Sequence, residues 1–390
     1  MFEKVFTIIS FSLLFLFFFL YNVGRIFGLD KGYLAIMAVL GVFAFVRLLK
    51  NPEIVSVWRK WFSWQFVLIS FMIISMLWAI NPNSFRYITM MFILILKVSI
   101  VAILCNTPSK VKILLLVFSL VGFAVFIALS GTGNLYAYRA AQITFLDNPN
   151  TFGLLCGIYL MASFYWLIIS EKVWRKTIFI IFILLDFYMI MMTGGRKFLL
   201  FSVILFLAYY LLHKKQNFFH ILGVLILGFI ILSILQYFVM NVPVLYDAIG
   251  YRFDLSLYSG SIEGSDDQEI LMREALKAWS ENPILGLGPG GFQVYNTKYG
   301  NLYSHSNYTE LLANFGLIGF IIYYSIYIYC IKIFLKYRST LDSYGRFLFS
   351  VLIAVIFIET FSITYNQTAY VPLLIMIIST YCYKLKNRIA

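Results

Sequence analysis

The sequence predicts an all-α polytopic membrane protein with about 12 transmembrane helices and a large extracytoplasmic loop that contains short helices. Of its 390 residues, 62% are hydrophobic and 12% are charged, and the mean hydropathy is +0.88. An ordinary soluble domain has about a quarter of its residues charged, so a soluble fold could not bury this much apolar surface. The basic residues form short clusters between apolar runs, which is typical of membrane topology and not of a nucleic-acid-binding surface.

Twelve segments meet or approach the length of about 20 apolar residues that a membrane-spanning helix needs. They are residues 5–22, 33–49, 64–80, 85–105, 111–130, 150–170, 176–193, 197–213, 218–240, 310–331, 345–365 and 367–383. We therefore divide the chain into spanning helices one to nine (1–240), a large extracytoplasmic loop (241–309) and spanning helices ten to twelve (310–390). All three parts belong to one integral membrane domain.

The distribution of positive charge predicts how these segments are oriented. Most of the 30 lysine and arginine residues lie in inside segments if the N-terminus is cytoplasmic, as the positive-inside rule requires. The first apolar stretch has no small-residue cleavage site, which predicts a retained signal anchor. We therefore expect a multi-pass protein of a bacterial cytoplasmic (inner) membrane, with both termini in the cytoplasm and the active site on the outer face.

The large loop differs from the other connections, which are short, and long connections usually carry function. Residues 268–281 predict an amphipathic helix, and the glycine-rich run NPILGLGPGGF follows it. At the start of the tenth spanning helix, Asn307 and Glu310 match a capping box, in which Asn307 is the N-cap residue.

Several kinds of chemistry lack their usual motifs. The chain has no GxxxxGK[ST] and no HExxH, and Asp266 and Asp267 are adjacent instead of spaced as in a metal-binding DxD. The four cysteines lie inside or at the ends of apolar segments, without metal-ligand spacing. We therefore expect no cofactor, no metal and no disulfide.

Three arginines on the predicted outer side are candidates for binding an anion. Arg196 follows two glycines in MTGGRKF and begins a helix whose free amides would add to an anion site. A tight hairpin with an arginine snorkelling to the headgroups explains Arg196 about equally well. Arg139 and Arg252 are each flanked by aromatic residues, and outward arginines are what a diphosphate leaving group needs.

Arg273 is a fourth candidate, on the predicted loop helix. It lies four residues after Glu269, and Lys277 lies four residues before Glu281. On spacing alone, a ladder of solvated ion pairs is the simpler explanation for these residues.

His305 is the only histidine that we place on the outer side. An imidazole, which ionises at about pH 6.5, can act as a general base or orient a hydroxyl group. A lone histidine is nevertheless more often structural. Lys97, Asp186 and Glu359 lie inside predicted spans, so we expect them to face the bundle interior or water.

Four motifs occur in an order that is specific in combination. ENPILGLGPGGF (281–292) precedes SHSNYTELLANFGLIGF (304–320), while YRAAQITFLDNPNTFG (138–153) and TGGRKF (193–198) come earlier in the chain. Together they resemble the signature of the O-antigen polymerase and ligase superfamily. The resemblance implies a membrane glycosyltransferase of the GT-C kind, which moves a glycan from an undecaprenyl diphosphate carrier to a sugar hydroxyl, commonly without a metal.

The resemblance also implies roles for individual residues. The essential arginines of the family correspond to Arg196 and Arg273, and its loop histidine corresponds to His305, although many members carry two histidines around this motif. We therefore predict two sets of site residues. They are His305, Arg196 and Arg273 for catalysis, and Arg139, Arg252 and Asn307 for substrate binding.

The function expected on this basis is polymerisation of undecaprenyl-diphosphate-linked repeat units into a capsule, an O-antigen or an exopolysaccharide. Ligase-type transfer of the glycan to a lipid or wall acceptor stays open, as do a polysaccharide flippase or transporter and a noncatalytic scaffold. The composition is typical of an AT-rich bacterial genome, which favours a polymerase. The expected partners are the lipid-linked donor, the glycan acceptor and membrane lipids, with a flippase and a chain-length regulator as candidates and no nucleic acid.

Overall fold

The computed structural model describes residues 2–29, 31–133, 149–193, 196–213, 218–243, 246, 265–366 and 369–389. All regular secondary structure in these ranges is helical. The principal helices are α1 (Phe2–Val23), α2 (Gly32–Lys50), α3 (Arg59–Ile74), α4 (Ser84–Leu104), α5 (Pro108–Gly131), α6 (Pro149–Ile169), α7 (Val173–Met192), α8 (Arg196–His213), α9 (Phe218–Asn241), α10 (Ser265–Glu281), α11 (Gly291–Tyr295), α12 (Asn307–Lys336), α13 (Ser343–Ile358) and α14 (Tyr370–Ile389).

Each of the twelve predicted apolar segments overlaps a helix, although α13 ends at Ile358, before the predicted end at residue 365. The predicted loop helix is α10, which begins at Ser265. Within the described ranges, seven helices are long and apolar enough to cross a membrane, as expected of a polytopic membrane protein. They are Glu3–Val23, Gly32–Lys50, Arg59–Trp78, Ser84–Leu104, Pro108–Gly131, Asn150–Ile169 and Asn307–Lys336. Two further apolar helices, Lys197–Leu212 and Ser343–Ile358, are shorter. The total of twelve spans therefore stays a prediction.

The chain forms two compact units. The first contains Met1–Ile54, Ile100–Asp254 and Asp342–Ala354, and the second contains Val55–Ser99, Leu255–Leu341 and Val355–Ala390. In the first unit α1 packs against α2 and α5, while α6 packs against α5, α7 and α8.

The first unit buries a carboxyl group between three helices. Asp186 of α7 is fully buried and accepts a hydrogen bond of 3.3 Å from the Ser163 hydroxyl, which is 2.7 Å from the Ser119 hydroxyl. Gly122 of α5 leaves room for Oδ1 of Asp186, because a Cβ atom there would overlap this oxygen. The prediction that Asp186 faces the bundle interior is confirmed.

In the second unit the other elements pack around α12, which contacts α3, α10, α11 and α14. This helix is interrupted at Gly316, whose backbone has φ 61° and ψ −165°. A residue with a side chain rarely adopts this conformation, so glycine is required at the interruption.

The glycine-rich turn fills this interruption. In a continuous helix, the Leu317 and Ile318 amides would bond to the Ala313 and Asn314 carbonyls. Here those four groups bond to the turn instead. The Leu317 and Ile318 amides donate to the carbonyls of residues 283 and 284 at 2.9 and 3.3 Å, and the Ala313 and Asn314 carbonyls accept from the amides of residues 287 and 288 at 2.9 and 2.8 Å. The turn therefore satisfies these four backbone groups.

We expect Gly286→Ala and Gly316→Ala each to destabilise the protein by about 1–3 kcal/mol or more. Both residues have positive φ, and a Cβ atom at either one would overlap backbone atoms of the other segment. The effect is measured as the change in unfolding temperature in detergent, where size-exclusion chromatography after heating gives the fraction of protein that remains folded. Gly223→Ala in α9 is the matched control, because nothing lies within 4 Å of its Cβ position. If both variants unfolded at the same temperature as Gly223→Ala, the turn and the interrupted helix would not be in close backbone contact.

Candidate functional site

His305 lies in the short segment that leads into α12, and its backbone is left-handed, with φ 61°. This conformation is uncommon for a residue other than glycine. The imidazole ring is half-buried and lies 4.4 Å from the Tyr303 ring, measured between centroids. Strain of this kind persists only where neighbouring contacts hold the backbone in place.

Two buried serines supply those contacts. The Ser304 amide donates to Oε2 of Glu310 at 2.8 Å, and the Ser304 hydroxyl donates to the Ser306 carbonyl at 3.0 Å. The Glu310 amide donates to the same Ser306 carbonyl at 3.0 Å. His305 is therefore held on both sides by residues that are themselves hydrogen-bonded.

The predicted capping box is wrong in its details. The helix begins at Asn307, the N-cap residue is Ser306, and its side chain makes no capping hydrogen bond. Glu310 reaches back to the Ser304 amide and not to the Asn307 amide. The physical reason is a distant partner, because the Asn307 amide donates to the Glu359 carbonyl at 2.8 Å.

Asn307 is fully buried, and its side chain organises the segment that follows α13. Its Oδ1 accepts hydrogen bonds from the Thr364 and Tyr365 amides at 3.1 and 3.2 Å, and its Nδ2 donates to the Tyr324 hydroxyl at 3.1 Å. These contacts give Asn307 a structural role. Its predicted part in substrate binding stays a prediction.

Glu359 follows α13 and is also fully buried, which confirms that it faces the interior. Its carboxylate accepts hydrogen bonds from four hydroxyl groups. The donors are Tyr323 at 3.2 Å, Tyr324 at 3.0 Å, Tyr327 at 2.8 Å and Thr364 at 2.6 Å. This cluster was not predicted from the sequence, although three tyrosines within five residues of a spanning helix are a signal for a buried polar partner.

A second chain of hydrogen bonds joins the His305 segment to the glycine-rich turn. Oε1 of Glu310 accepts from Nδ2 of Asn314 at 3.0 Å, and Oδ1 of Asn314 accepts from the Phe292 amide at 2.9 Å. Glu310 and Asn314 are both buried and one helical turn apart. The two strongest motifs of the sequence therefore form a single hydrogen-bonded assembly.

The connection between α3 and α4 holds the other side of the turn. The Ile80 amide donates to the Leu287 carbonyl at 3.1 Å, and Nδ2 of Asn81 donates to the Gly290 carbonyl at 2.8 Å. The hydroxyl of Tyr87 donates to Oε1 of Gln293. Asn81 was not among the predicted site residues, because only the tertiary structure brings it to the turn.

Arg273 projects from the exposed face of α10. The opposite face is buried through Leu271, Ala275 and Ala278, and the two alanines pack in a cluster that includes residue 313 of α12. The side chain is 76% exposed, and its Nη2 lies 2.6 Å from Oε1 of Glu269, which confirms the predicted ion pair.

The second ion pair expected on α10 does not form. Glu281 instead accepts a hydrogen bond of 2.8 Å from the Tyr295 hydroxyl. Desolvation and this hydrogen bond raise the pKa of Tyr295 to about 12. The phenol therefore remains a neutral donor at physiological pH, and it ties α11 to the end of α10.

The remaining predicted site residues are described less fully. Arg196 begins α8 in the first unit, where the helix N-terminus offers free amides, but its side chain lies outside the described structure. Arg139 and Arg252 also lie outside the described residues. In the second unit, the structure places His305 and Asn307 at the start of α12, the helix against which the helix of Arg273 packs.

Residues 178–324 match a family model that is described as O-antigen ligase. No curated protein matches the chain. The matched range includes the start of α8, the glycine-rich turn, the His305 segment and the interruption of α12. The resemblance noted in the sequence to the O-antigen polymerase and ligase superfamily is thus confirmed over these residues.

Proposed function

We propose that this protein is a membrane glycosyltransferase that polymerises undecaprenyl-diphosphate-linked oligosaccharide repeat units into surface polysaccharide. Members of its family are glycan-transferring enzymes. The observation that carries the proposal is the rigid placement of His305, in a strained backbone conformation, between two buried and hydrogen-bonded serines. Strained residues of this kind cluster at functional sites.

In the proposed reaction, an acceptor sugar hydroxyl attacks the anomeric carbon of the donor glycan. A new glycosidic bond forms as the bond from the anomeric carbon to the carrier diphosphate breaks, and the electron pair leaves with the diphosphate. His305 accepts the proton of the hydroxyl or orients it. Arg196 and Arg273 stabilise the negative charge that grows on the diphosphate, which is the part a divalent metal ion plays in other transferases.

The exposure of Arg273 supports its part in this scheme. Its partner Glu269 is also exposed, and an ion pair in solvent contributes only about 0.2–1 kcal/mol. Replacing the Glu269 carboxylate by a diphosphate as the partner of Arg273 therefore costs little free energy. The planar guanidinium group can hold two phosphate oxygens at once. Arg139, Arg252 and Asn307 complete the proposed substrate-binding set.

The interruption of α12 bears on the transporter alternative. Transporters commonly use broken helices whose open backbone groups bind substrate or ions near the membrane midplane. At Gly316 the freed groups of residues 313, 314, 317 and 318 are instead occupied by the glycine-rich turn. The break therefore supports a fixed scaffold for surface chemistry, which favours the enzyme.

The description of the matched family favours a second candidate, a ligase that transfers the finished glycan to a lipid or wall acceptor. Both reactions share the donor and the same chemistry at the diphosphate, and they differ in the acceptor. In either case we place the protein in a bacterial cytoplasmic membrane with its site on the outer face, supplied by a flippase.

We expect Arg273→Ala and Arg196→Ala each to reduce glycan transfer by about 10²–10³-fold, because each removes a group that stabilises the leaving diphosphate. The measurement is polymer length on gels, with purified lipid-linked repeat units and reconstituted protein. Lys277→Ala is the matched control, since Lys277 is exposed one turn further along α10. Wild-type chain lengths in both arginine variants would exclude the proposed site, and transfer of single glycans to an anchor without polymer growth would establish the ligase.

We expect Glu310→Gln and Asn314→Asp each to lower stability and glycan transfer, and we expect the double variant to restore both. With Glu310→Gln alone, the new side-chain amide faces another donor, either the Ser304 amide or the Asn314 side-chain amide. With Asn314→Asp alone, the new carboxylate faces the Glu310 carboxylate. The double variant restores an acceptor for the Ser304 and Phe292 amides and a donor between the two side chains. Each single change should lower the free energy of unfolding by about 1–3 kcal/mol and the rate of glycan transfer at least tenfold.

Thermal unfolding and transfer rate, measured on the four proteins of this cycle, test the expectation. His305→Ala is the reference for loss of transfer, since it removes the imidazole and leaves both hydrogen-bond partners of Glu310 in place. A double variant that is as impaired as the worse single variant would contradict the proposed role of the Glu310 and Asn314 pair.

A further inference from the structure

Large apolar side chains surround the glycine-rich turn and are exposed. On the turn, Ile284 is 62% exposed and Leu285 is 41% exposed. On the adjacent part of α12, Leu317 is 47% exposed and Ile321 is 55% exposed. Exposed apolar surface of this extent marks an interaction site, and its partner must itself be apolar.

Backbone hydrogen bonds make the turn part of a spanning helix. The carbonyls of Pro283 and Ile284 accept from the Leu317 and Ile318 amides at 2.9 and 3.3 Å. From that point α12 continues to Lys336 as the apolar helix of spanning length. The depth of Leu317 in the membrane therefore sets the depth of Ile284.

The exposed residues of the turn continue a stripe along α12. Ile321, Ile328 and Leu335 are all exposed and follow one another at seven-residue intervals, so they lie on one face of the helix. This face of a spanning helix meets lipid. Leu317, which precedes Ile321 by one turn, joins the stripe to the turn.

Several backbone groups of the turn are paired within the protein, as hydrocarbon surroundings require of irregular backbone. The lipid core supplies no hydrogen-bond partners, so irregular backbone survives there only where protein groups pair with it. Besides the two carbonyls already named, the Gly286 amide donates to the Asn282 carbonyl at 3.0 Å, and the Leu287 amide and carbonyl are both paired. The run from residue 282 to residue 291 also contains no charged side chain.

A tryptophan stands at the boundary between α10 and the turn. The Trp279 indole donates to the Pro283 carbonyl at 3.0 Å, and this residue is half-buried. Tryptophan is enriched at the level of the lipid headgroups. The charged residues Lys277 and Glu281 lie on α10, before the turn in the chain.

We propose that the glycine-rich turn, residues 283–288, is inserted into the membrane, where Ile284 and Leu285 contact the acyl chains of lipids. The sequence pattern predicts that all of residues 241–309 lie outside the membrane. The proposal separates this turn from the aqueous part of that loop. It does not depend on the reaction proposed above.

Spin labels attached to single introduced cysteines test this placement in phospholipid vesicles. All four native cysteines are buried, so labelling is selective for the introduced site. The test position is Ile284→Cys, and Leu285→Cys provides an independent second position. Lys277→Cys is the control for water and Ile328→Cys is the control for lipid, since both residues are exposed.

Collisions with oxygen, which dissolves in lipid, and with a water-soluble nickel chelate report the surroundings of each label. We expect the oxygen-to-nickel ratio at 284 and 285 to equal that at 328 and to exceed that at 277 several-fold. Nickel access equal to that at 277 would place the turn in water and overturn the proposal. Low access to both reagents, with dipolar broadening that disappears on dilution with unlabelled protein, would show that a second copy covers this surface, which also overturns it.

Discussion

The second unit depends on four backbone hydrogen bonds between the interrupted helix α12 and the glycine-rich turn. A break in a spanning helix exposes amides and carbonyls, and each costs several kcal/mol if it stays unpaired in an apolar environment. Here the turn supplies partners for four of these groups, and Gly286 and Gly316 allow the two backbones to approach closely enough. Two motifs separated in sequence are therefore one structural element.

Buried polar side chains extend this element to the candidate site. Glu310 and Asn314 link the His305 segment to the turn, while Asn307 and Glu359 link the same segment to the chain after α13. Such networks are favourable only when almost every donor and acceptor is paired, so they specify one arrangement of the chain. Their effect is to hold His305 in a backbone conformation that it would not adopt by itself. A preorganised imidazole is what a proton-transfer step requires.

Arg273 shows how a structural and a functional explanation can both hold for one residue. Its ion pair with Glu269 is present, as the spacing on α10 predicted, yet the pair is exposed and therefore weak. A phosphate group can replace a weakly held carboxylate at small cost. The buried face of α10 meanwhile packs on α12, so this arginine is carried by the same scaffold as His305.

The sequence by itself determined the helices, because the length of an apolar run and the spacing of charges are local properties. The twelve apolar segments, the loop helix and the Glu269–Arg273 pair all follow from such patterns, and the motifs identified the family. Only the tertiary structure decided the partners of the buried polar groups. The capping box at Asn307 was predicted from local spacing, but the carbonyl of Glu359 takes the Asn307 amide. The same holds for Asn81 and for the tyrosines around Glu359. A buried donor bonds to the acceptor that packing brings to it, and residues distant in sequence set that packing.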